Sequence, residues 1–301
     1  MLNKTTVIVE GKNLQLSNLD KVLYPLSGFN KAQVINYYSR IAPALLPHLK
    51  DRPVTFKRYP DGVLGKFFYQ KECPDYRPDW LRTAPVWSES NDRKINFCIL
   101  NDLPSLVWAV NLAALELHTS LSLARDPLTP TVLVFDLDPG PPATIIECSQ
   151  VGMWLRDFFE HLGLQSFPKT SGLKGLQVYV PLKAPATYEQ TKNFAKACAE
   201  LLEERHPNLV VSKMNKKLRT GKVFIDWSQN DDHKTTICVY SLRAQERPTV
   251  STPVTWAEVA SALAKKDPEL LVFDAGQVFR RFERFGDLFA PVLTLKQKLP
   301  I

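Results

Sequence analysis

The chain has 301 residues, of which 45% are hydrophobic and 23% are charged, and its formal net charge is +7. This length is enough for a large core, in one domain or in two closely packed subdomains. No apolar run approaches the length of a membrane span, and the N-terminal MLNKTTVIVEGK lacks the apolar stretch of a signal peptide. We therefore expect a soluble, cytoplasmic protein without membrane contact.

The net positive charge leaves two interpretations open. A nucleic-acid or phosphate-binding protein is one, and a basic protein without a polyanionic partner is the other. The cysteines lie far apart, none forms a CxxC pair, and their number is odd, which excludes the ligand spacing of structural zinc and favours free thiols in a reducing compartment. They are Cys73, Cys98, Cys148, Cys198 and Cys238.

The N-terminal part of the chain is predicted to hold a hairpin, two helices and two strands. TTVIVEG and KNLQLSN form the hairpin, and a helix follows over about Asn30–Leu46, with Asn30 as its N-cap. PVTFKRYP and KFFYQKE are predicted strands that carry basic and aromatic residues. Asp102–Leu117 has an apolar stripe of helical period and is predicted to be a helix that His118 ends.

The remainder alternates predicted strands and helices, which indicates a mixed α/β fold. The strands are predicted at 131–138, 165–169, 176–181, 209–212 and 222–228. The helices are predicted at 144–162, 187–205, 255–264 and 275–289.

A pair of aspartates ends the strand VLVFDLDPG. Alternation along a strand places Asp136 and Asp138 on one face, and the apolar run before them is typical of a central strand that is covered on both faces. Two neighbouring carboxylates repel each other unless a cation lies between them, and their hard oxygen ligands suit magnesium or manganese. The alternative is a strand end that simply faces water.

A third aspartate, Asp226, ends the apolar strand KVFIDWSQN. Three aspartates on strands are suited to a two-metal phosphoryl- or nucleotidyl-transfer site, in which the metals lie about 3.5–4 Å apart. Asp226 taken alone is more typical of a solvated strand end. A DxD pair also occurs in dehalogenase-type phosphatases and in glycosyltransferases, but Gly140 and the position of the motif deep in the chain argue against the phosphatase.

PKTSGLKGLQVYVPL lies between two predicted strands and carries glycines that allow backbone N–H groups to approach phosphate oxygens. It is not a P-loop. His118 alone is more typical of a partner of the helix dipole, and Arg243 alone is more typical of a surface residue, although its guanidinium could pair with a phosphate.

Taken together, DKVLYP, VFDLDPG, TSGLKG, KVFIDWSQN and YSLR resemble, in order and spacing, the polymerase domain of bacterial ligase D. The stand-alone primase-polymerases of the archaeo-eukaryotic primase superfamily share this set, and the resemblance covers about residues 13 to 290. It implies one primase-polymerase domain over 1–301: an N-terminal α/β module over about 1–120, packed on a catalytic module like an RNA-recognition motif over about 121–250. A C-terminal helical extension over 251–301 packs back on the core, and the active site lies between the two modules.

The resemblance also implies the roles of individual residues. Asp136, Asp138 and Asp226 match the catalytic, metal-binding triad. The residues implied to hold the incoming nucleotide are His118, Ser171, Gly172, Lys174, Gln229 and Arg243. The residues implied to grip the 5′-phosphate of a downstream DNA end are Asn18, Lys21 and Lys31. Those implied for template stacking are Phe67 and Phe68, and the basic residues of a mobile loop are Lys216, Lys217 and Arg219.

The stacking pair also has a physical argument of its own. Stacking on aromatic side chains tolerates any base of a single-stranded template. The alternative is that Phe67 and Phe68 belong to the core, but on an alternating strand only one of them would face it.

The function implied is a DNA-dependent polymerase that extends primers and fills gaps at 5′-phosphorylated ends, in non-homologous end joining or excision repair. It would use two Mn²⁺ or Mg²⁺ ions, take NTPs or dNTPs with a preference for ribonucleotides, and act as a monomer at the nucleoid. The expected partners are template–primer DNA, a DNA ligase and a Ku-type end-binding protein. The alternatives are a non-catalytic DNA-end-binding module that recruits a ligase and a metal-dependent phosphatase.

Overall fold

The computed structural model describes residues 4–183 and 186–300, with the backbone but not the side chain of Ser90. The described chain divides into two compact units. The first comprises the described part of Met1–Ser120 with Thr235–Val250 and Asp274–Gly286, and the second the described parts of Leu121–Lys234, Ser251–Phe273 and Asp287–Ile301. The domain boundaries predicted at 120 and 250 stay a prediction. No helix of the described residues is long and apolar enough to cross a membrane.

Strands and helices are interspersed along the chain. The strands are β1 (Lys4–Val9), β2 (Lys12–Ser17), β3 (Val22–Tyr24), β4 (Phe29–Asn30), β5 (Val54–Arg58), β6 (Phe68–Gln70), β7 (Thr83–Ser88), β8 (Arg93–Cys98), β9 (Ala114–Thr119), β10 (Ser122–Leu123), β11 (Asp126–Pro130), β12 (Val132–Pro139), β13 (Phe167–Thr170), β14 (Leu176–Pro181), β15 (Val210–Val211), β16 (Val223–Asp226) and β17 (Thr236–Ile237). The α-helices are α1 (Lys31–Leu49), α2 (Leu103–Asn111), α3 (Ile145–His161), α4 (Tyr188–Arg205), α5 (Trp256–Lys265), α6 (Ala275–Phe285) and α7 (Pro291–Thr294). Short 3₁₀ turns cover Glu89–Asn91, Lys216–Leu218, Trp227–Gln229 and Pro268–Leu271.

The first unit is built on a sheet in the order β17-β9-β5-β8-β7, and β6 pairs with β5. Helix α1 begins as predicted, because the side chain of Asn30 accepts a hydrogen bond from the backbone N–H of Gln33 and Gln33 returns one to Asn30. The tyrosines of α1 are buried and bond to the segment after β17: the hydroxyl of Tyr37 donates to the carbonyl of Tyr240 at 2.8 Å. This distant segment is thereby fixed to the unit.

The second unit is built on a sheet in the order β13-β14-β12-β16-β15. Strand β12 lies at its centre and pairs antiparallel with both β14 and β16. Leu133, Val134, Phe135 and Leu137 are all fully buried, which confirms the prediction of a central strand covered on both faces. The mixed α/β prediction is confirmed by the two units together.

One predicted helix is wrong over its second half. Helix α2 ends at Asn111, Ala113 has a positive φ of 59°, and residues 114–119 form β9. The stripe over Asp102–Leu117 fitted a helix because a short buried apolar run does not distinguish a helix from a strand. His118 therefore lies in a strand, paired with Thr55 on β5 and Ile237 on β17, and is no partner of a helix dipole.

The expectation of five dispersed thiols is also corrected. Cys73 and Cys98 form a disulfide with their Cα atoms 5.0 Å apart, whereas Cys148, Cys198 and Cys238 are buried thiols outside this disulfide. The pairing is invisible in the spacing because the two residues are 25 positions apart in sequence. They meet because the backbone N–H of Cys73 bonds to the carbonyl of Asn96 on β8.

Candidate active site

The three predicted metal-binding aspartates share one face of the second unit's sheet. Asp136 and Asp138 are two residues apart on β12, and Asp226, at the end of β16, is the direct antiparallel partner of Asp136. The intervening Leu137 and the neighbouring Ile225 point to the opposite face, where both belong to the hydrophobic core. Side chains of directly paired residues are close neighbours, so the three carboxylates occupy neighbouring positions on this face.

The electrostatics of this face are unfavourable for three ionised carboxylates. Burial, followed by the negative charges of Asp138 and Asp226, raises the pKa of Asp136 to about 7. A divalent cation would relieve this repulsion, and the oxygen-only donor set is the kind that Mg²⁺ and Mn²⁺ prefer. The three residues therefore fit the predicted metal ions.

Asp226 is held in place by the 3₁₀ turn that follows it. Its Oδ1 accepts hydrogen bonds from the backbone N–H of Ser228 at 3.1 Å and from its hydroxyl at 2.6 Å, and its Oδ2 accepts one from the Gln229 amide at 3.1 Å. Asn230 fixes the turn, since its side chain bonds both the N–H and the carbonyl of Val134 on β12. Gln229, predicted as a nucleotide contact, lies directly beside the triad.

A row of paired polar residues runs across the sheet from β13 through β14 to Asp136 on β12. Lys169 on β13 is paired with Gln177 on β14, which is paired with Asp136 on β12. Lys169 is fully buried, and its ammonium donates to the hydroxyl of Ser251 at 2.7 Å. The sequence analysis missed Lys169, because a lysine that precedes TSG at the end of an apolar strand is not distinguishable from an exposed one.

The predicted phosphate loop closes on itself beside β12. The hydroxyl of Ser171 accepts hydrogen bonds from the N–H groups of Leu173 at 3.2 Å and Gly175 at 3.1 Å, and Gly172 has a positive φ of 73°. A Cβ on Gly175 would lie 2.4 Å from the carbonyl oxygen of Leu137 and 3.7 Å from a carboxylate oxygen of Asp138. The loop therefore touches the aspartate strand, and Lys174, next to Gly175, is exposed.

The predicted basic loop contacts Gly140, which directly follows the same strand. Gly140 and Gly221 are linked by a backbone hydrogen bond of 3.0 Å, and a Cβ on Gly140 would lie 1.8 Å from the carbonyl oxygen of Arg219. The Arg219 guanidinium lies 3.6 Å over the ring of Phe224, the strand partner of Asp138. Two further cations of the loop, Lys216 and Lys217, are exposed.

The other two predicted nucleotide contacts, His118 and Arg243, meet within the first unit. Both contact the carboxylate of Glu116: Nε2 of His118 at 3.0 Å and Nη1 of Arg243 at 3.6 Å. Arg243 is buried rather than on the surface, and its Nε has no hydrogen-bond partner among the described residues. The sequence analysis missed Glu116, although its position two residues before His118 would have placed it on the same face of a strand.

The predicted stacking pair is exposed. Phe67 is 51% exposed and Phe68 44%, and the adjacent Tyr69 is 58% exposed. The alternative, that the pair belongs to the core, does not hold, because β6 is a short strand that adds only three residues to the side of β5. The cations of β5 cover the rings: the Lys57 ammonium lies 4.2 Å from the Phe67 ring centre, and the Arg58 guanidinium 5.1 Å from that of Phe68.

The three residues predicted to bind a 5′-phosphate are close in the first unit. Asn18 has a positive φ of 53° and accepts a backbone hydrogen bond from Lys21, whose carbonyl in turn accepts one from the N–H of Lys31. The Lys21 ammonium pairs with Asp61 at 2.9 Å. Burial, followed by the charges of Arg58 and Lys21, lowers the pKa of Lys31 to about 8. A phosphate dianion would relieve this repulsion between cations.

Comparison with known proteins gives one consistent result. Residues 30–289 match the model of the family described as LigD, primase-polymerase domain. The chain is 40% identical over 283 residues to the multifunctional non-homologous end joining protein LigD of Mycolicibacterium smegmatis, covering 93% of this chain and 36% of that protein. It is 35% identical over 274 residues to the bifunctional LigD of Bacillus subtilis, covering 91% of this chain and 43% of that protein. The chain thus spans less than half the length of these relatives.

Among solved structures, the chain is similar to the polymerase domain of Mycobacterium tuberculosis ligase D in complex with DNA. The TM-score is 0.86 at 38% sequence identity, and the match covers 94% of this chain and 99% of that one. This likeness confirms the primase-like fold that the sequence motifs predicted.

Proposed function

We propose, from the premise that the chain belongs to the LigD primase-polymerase domain family, that it is a DNA-dependent nucleotidyltransferase. It extends a primer 3′-hydroxyl along a template and fills gaps that end in a downstream 5′-phosphate. The observation that carries the proposal is the arrangement of Asp136, Asp138 and Asp226 on one face of paired strands, with the pKa of Asp136 raised to about 7. Such a cluster is suited to holding the divalent cations of nucleotidyl transfer.

Asp136 and Asp138 would ligate both of two cations, Mg²⁺ or Mn²⁺, and Asp226 would ligate one of them. When bound, the two cations supply activation of the primer hydroxyl and stabilisation of the leaving pyrophosphate. The chain's own contribution is to hold the carboxylates before the cations arrive. Ser228 and Gln229 orient Asp226 by hydrogen bonds, and Gln177 donates a hydrogen bond to Asp136.

In the second unit, the triphosphate would be bound by the phosphate loop. His118 and Arg243, in the first unit, keep their proposed role as triphosphate ligands. Lys174 is exposed beside Gly175, which contacts the aspartate strand, so its ammonium can reach an anion held there. The backbone N–H groups around Gly172 add donors without adding bulk. Gln229, already bonded to Asp226, would contact the nucleotide next to the cations.

The DNA would be recognised by three groups. Lys21 and Lys31, positioned with Asn18, would take the 5′-phosphate, for which clustered ammonium groups favour a dianion over an internal phosphodiester. Phe67 and Phe68 would stack on template bases, which their exposure allows. The basic residues of the loop after β15 would contact the DNA strand or the nucleotide near the end of β12; they are Lys216, Lys217 and Arg219.

The names of the relatives place them in non-homologous end joining, and we propose the same process for this chain, beside a DNA ligase and a Ku-type protein. Ribonucleotides and manganese are the proposed preferences. The non-catalytic alternative is not favoured, since an end-binding module has no need of three carboxylates held together at the cost of a raised pKa.

The test is extension of a gapped duplex that carries a 5′-phosphate at the downstream end. Ribo- and deoxynucleotides would be compared, each with Mg²⁺ and with Mn²⁺. We expect metal-dependent addition of nucleotides to the primer, fastest with ribonucleotides and Mn²⁺. Binding of the duplex without any incorporation under all four conditions would support the end-binding alternative instead.

A further inference from the structure

Glu116 lies at the centre of a cluster of basic and aromatic side chains in the first unit. It is 1% exposed, and besides His118 and Arg243 it contacts the backbone N–H of Ala244 at 3.1 Å and the Lys57 ammonium at 3.8 Å. The hydroxyl of Tyr59 lies 3.5 Å from the same carboxylate. One buried carboxylate therefore contacts three side chains that can carry a positive charge.

Within this cluster Glu116 is ionised and His118 is neutral at pH 7. Burial, the largest influence, raises the pKa of Glu116, but the hydrogen bond from His118 and the charges of Arg243 and Lys57 outweigh it and hold the pKa at about 2. Burial lowers the pKa of His118 below its ordinary value, against the opposing effect of Glu116. A neutral imidazole has one N–H, and an ionised carboxylate can only accept a hydrogen bond.

The proton of His118 must then lie on Nε2, which faces Glu116 at 3.0 Å. The other ring nitrogen, Nδ1, has a lone pair and no hydrogen-bond partner among the described residues. A lone pair repels the oxygen of a phosphate, so His118 in this state cannot donate to a triphosphate. It becomes a donor only when Nδ1 takes up a proton.

We propose that Glu116 is a positioning residue that fixes the Nε2–H tautomer of His118, so that Nδ1 takes a proton from solvent when a triphosphate binds and donates a hydrogen bond to it. This inference rests on the proposed role of His118 as a triphosphate ligand. The proton passes from water to Nδ1, no bond between heavy atoms changes, and the carboxylate offsets the new positive charge.

The surrounding charges explain why a carboxylate is needed at this position. Lys57 on β5 and Arg243 after β17 are cations beside the same carboxylate, and both oppose a third positive charge on His118. The remaining titratable neighbours, Tyr59 and Tyr69, are phenols whose pKa values are raised, chiefly by burial, and they are neutral. Only the charge of Glu116 in this set favours protonation of His118.

The first test is the ¹⁵N resonances of the His118 imidazole in the wild-type protein at pH 7.5. We expect a neutral Nε2–H tautomer in the free protein, and a doubly protonated ring after saturation with Mg²⁺ and a ribonucleoside triphosphate bearing an α,β-methylene bridge. A neutral Nδ1–H tautomer in the free protein, or a ring that stays neutral in the saturated complex, overturns the inference.

The second test compares three substitutions by the pH dependence of triphosphate affinity. Glu116→Gln keeps the shape but removes the charge, so the pH above which affinity declines should move down by about one unit, with about a tenfold loss at pH 7.5. Glu116→Asp retains the charge and should preserve the wild-type profile. The matched control, Glu246→Gln, removes the charge of an exposed glutamate of the same unit and should change nothing.

The inference and the proposed function fail in different ways. If the wild-type protein extends a primer while Glu116→Gln keeps the wild-type pH profile, the inference is wrong and the function stands. A wild-type protein that binds no triphosphate overturns both. If Glu116→Gln does not fold, the imidazole resonances of the wild-type protein still decide the question.

Discussion

At the residue scale, Asp136, Asp138 and Asp226 illustrate what a motif can reveal. Their positions at strand ends were predicted from the sequence, whereas the register that makes Asp136 and Asp226 direct partners is known only from the structure. The side chains that support the aspartates could not be predicted from the sequence. Ser228 and Lys169 are common residue types, and their roles depend on the burial of the atoms around them. The same holds for Glu116, which gains its role from Arg243, far away in sequence.

The raised pKa of Asp136 predicts a change in stability at this scale. The folded-state pKa of about 7 lies above the ordinary 3.8, so the stability that this group contributes is fully present below 3.8 and is lost as pH rises through about 7. Asp138→Asn removes a neighbouring charge. We therefore expect the metal-free variant to be more stable than the wild type at pH 8, by about 1–2 kcal/mol in the free energy of unfolding.

Urea unfolding with a chelator present, at pH 5 and at pH 8, would measure this difference. At pH 5 the advantage of the variant should shrink, because Asp136 is then protonated in both proteins. Asp157→Asn is the matched control, since Asp157 is a surface residue paired with Arg156. An Asp138→Asn protein that is no more stable than the wild type at pH 8 would show that the carboxylates do not repel each other.

At the scale of elements, the main predicted strands and helices of the second unit agree with the structure. In the first unit, the helix predicted over Asp102–Leu117 is wrong over its second half, and strands β7 and β8 were not predicted. The patterns of β12, α3 and α4 are unambiguous because each has the length and caps of one type of element. The segment over 114–117 is a strand because the positive φ of Ala113 turns the chain and β5 offers a pairing edge. Neither the turn nor the edge is visible in a local window of sequence.

The phosphate loop supplies a prediction at this scale. Gly175 is required by space, since a Cβ there would lie 2.4 Å from a backbone oxygen of β12. We expect Gly175→Ala to force the loop and the aspartate strand apart, with a loss of about 1–3 kcal/mol in the free energy of unfolding and a clear loss of metal-dependent primer extension.

The control is Gly276→Ala in helix α6, where the added Cβ would meet its nearest neighbour at 3.4 Å. That variant should lose neither stability nor activity. Thermal unfolding and extension assays on both variants would check the pair. Unchanged extension by Gly175→Ala would mean that contact between the loop and β12 is irrelevant to nucleotide binding.

At the scale of the whole molecule, the chain returns to its first unit after completing most of the second. Thr235–Val250 carries Arg243 back to the sheet that holds His118. The family resemblance predicted that His118 and Arg243 contact a triphosphate. It did not predict that both contact the carboxylate of Glu116, because contacts between distant segments leave no local pattern in the sequence. The net charge of +7 likewise indicated a nucleic-acid or phosphate partner, but it did not show where on the molecule that partner would bind.

A pair of substitutions can test whether a 5′-phosphate is recognised at Lys21 and Lys31 specifically or by the overall positive charge of the protein. Replacing Lys21 and Lys31 by Ala should weaken binding to gapped DNA with a 5′-phosphate by about tenfold or more, and binding to the same gap with a 5′-hydroxyl far less. Replacing Lys50 and Lys94, two exposed lysines of the same unit, is the control with the same change in charge. Equal losses on both substrates would indicate a general basic face instead of a phosphate site.

The most direct measurement of the central claim is primer extension by Asp138→Ala on a gapped, 5′-phosphorylated duplex, with DNA binding measured in parallel. We predict that metal-dependent incorporation is abolished while the duplex is still bound, because the proposal assigns the cations to Asp138 and the DNA end to Lys21 and Lys31. Asp157→Ala should extend like the wild type. Extension by Asp138→Ala at the wild-type rate would contradict the assignment of the carboxylate cluster as the catalytic centre.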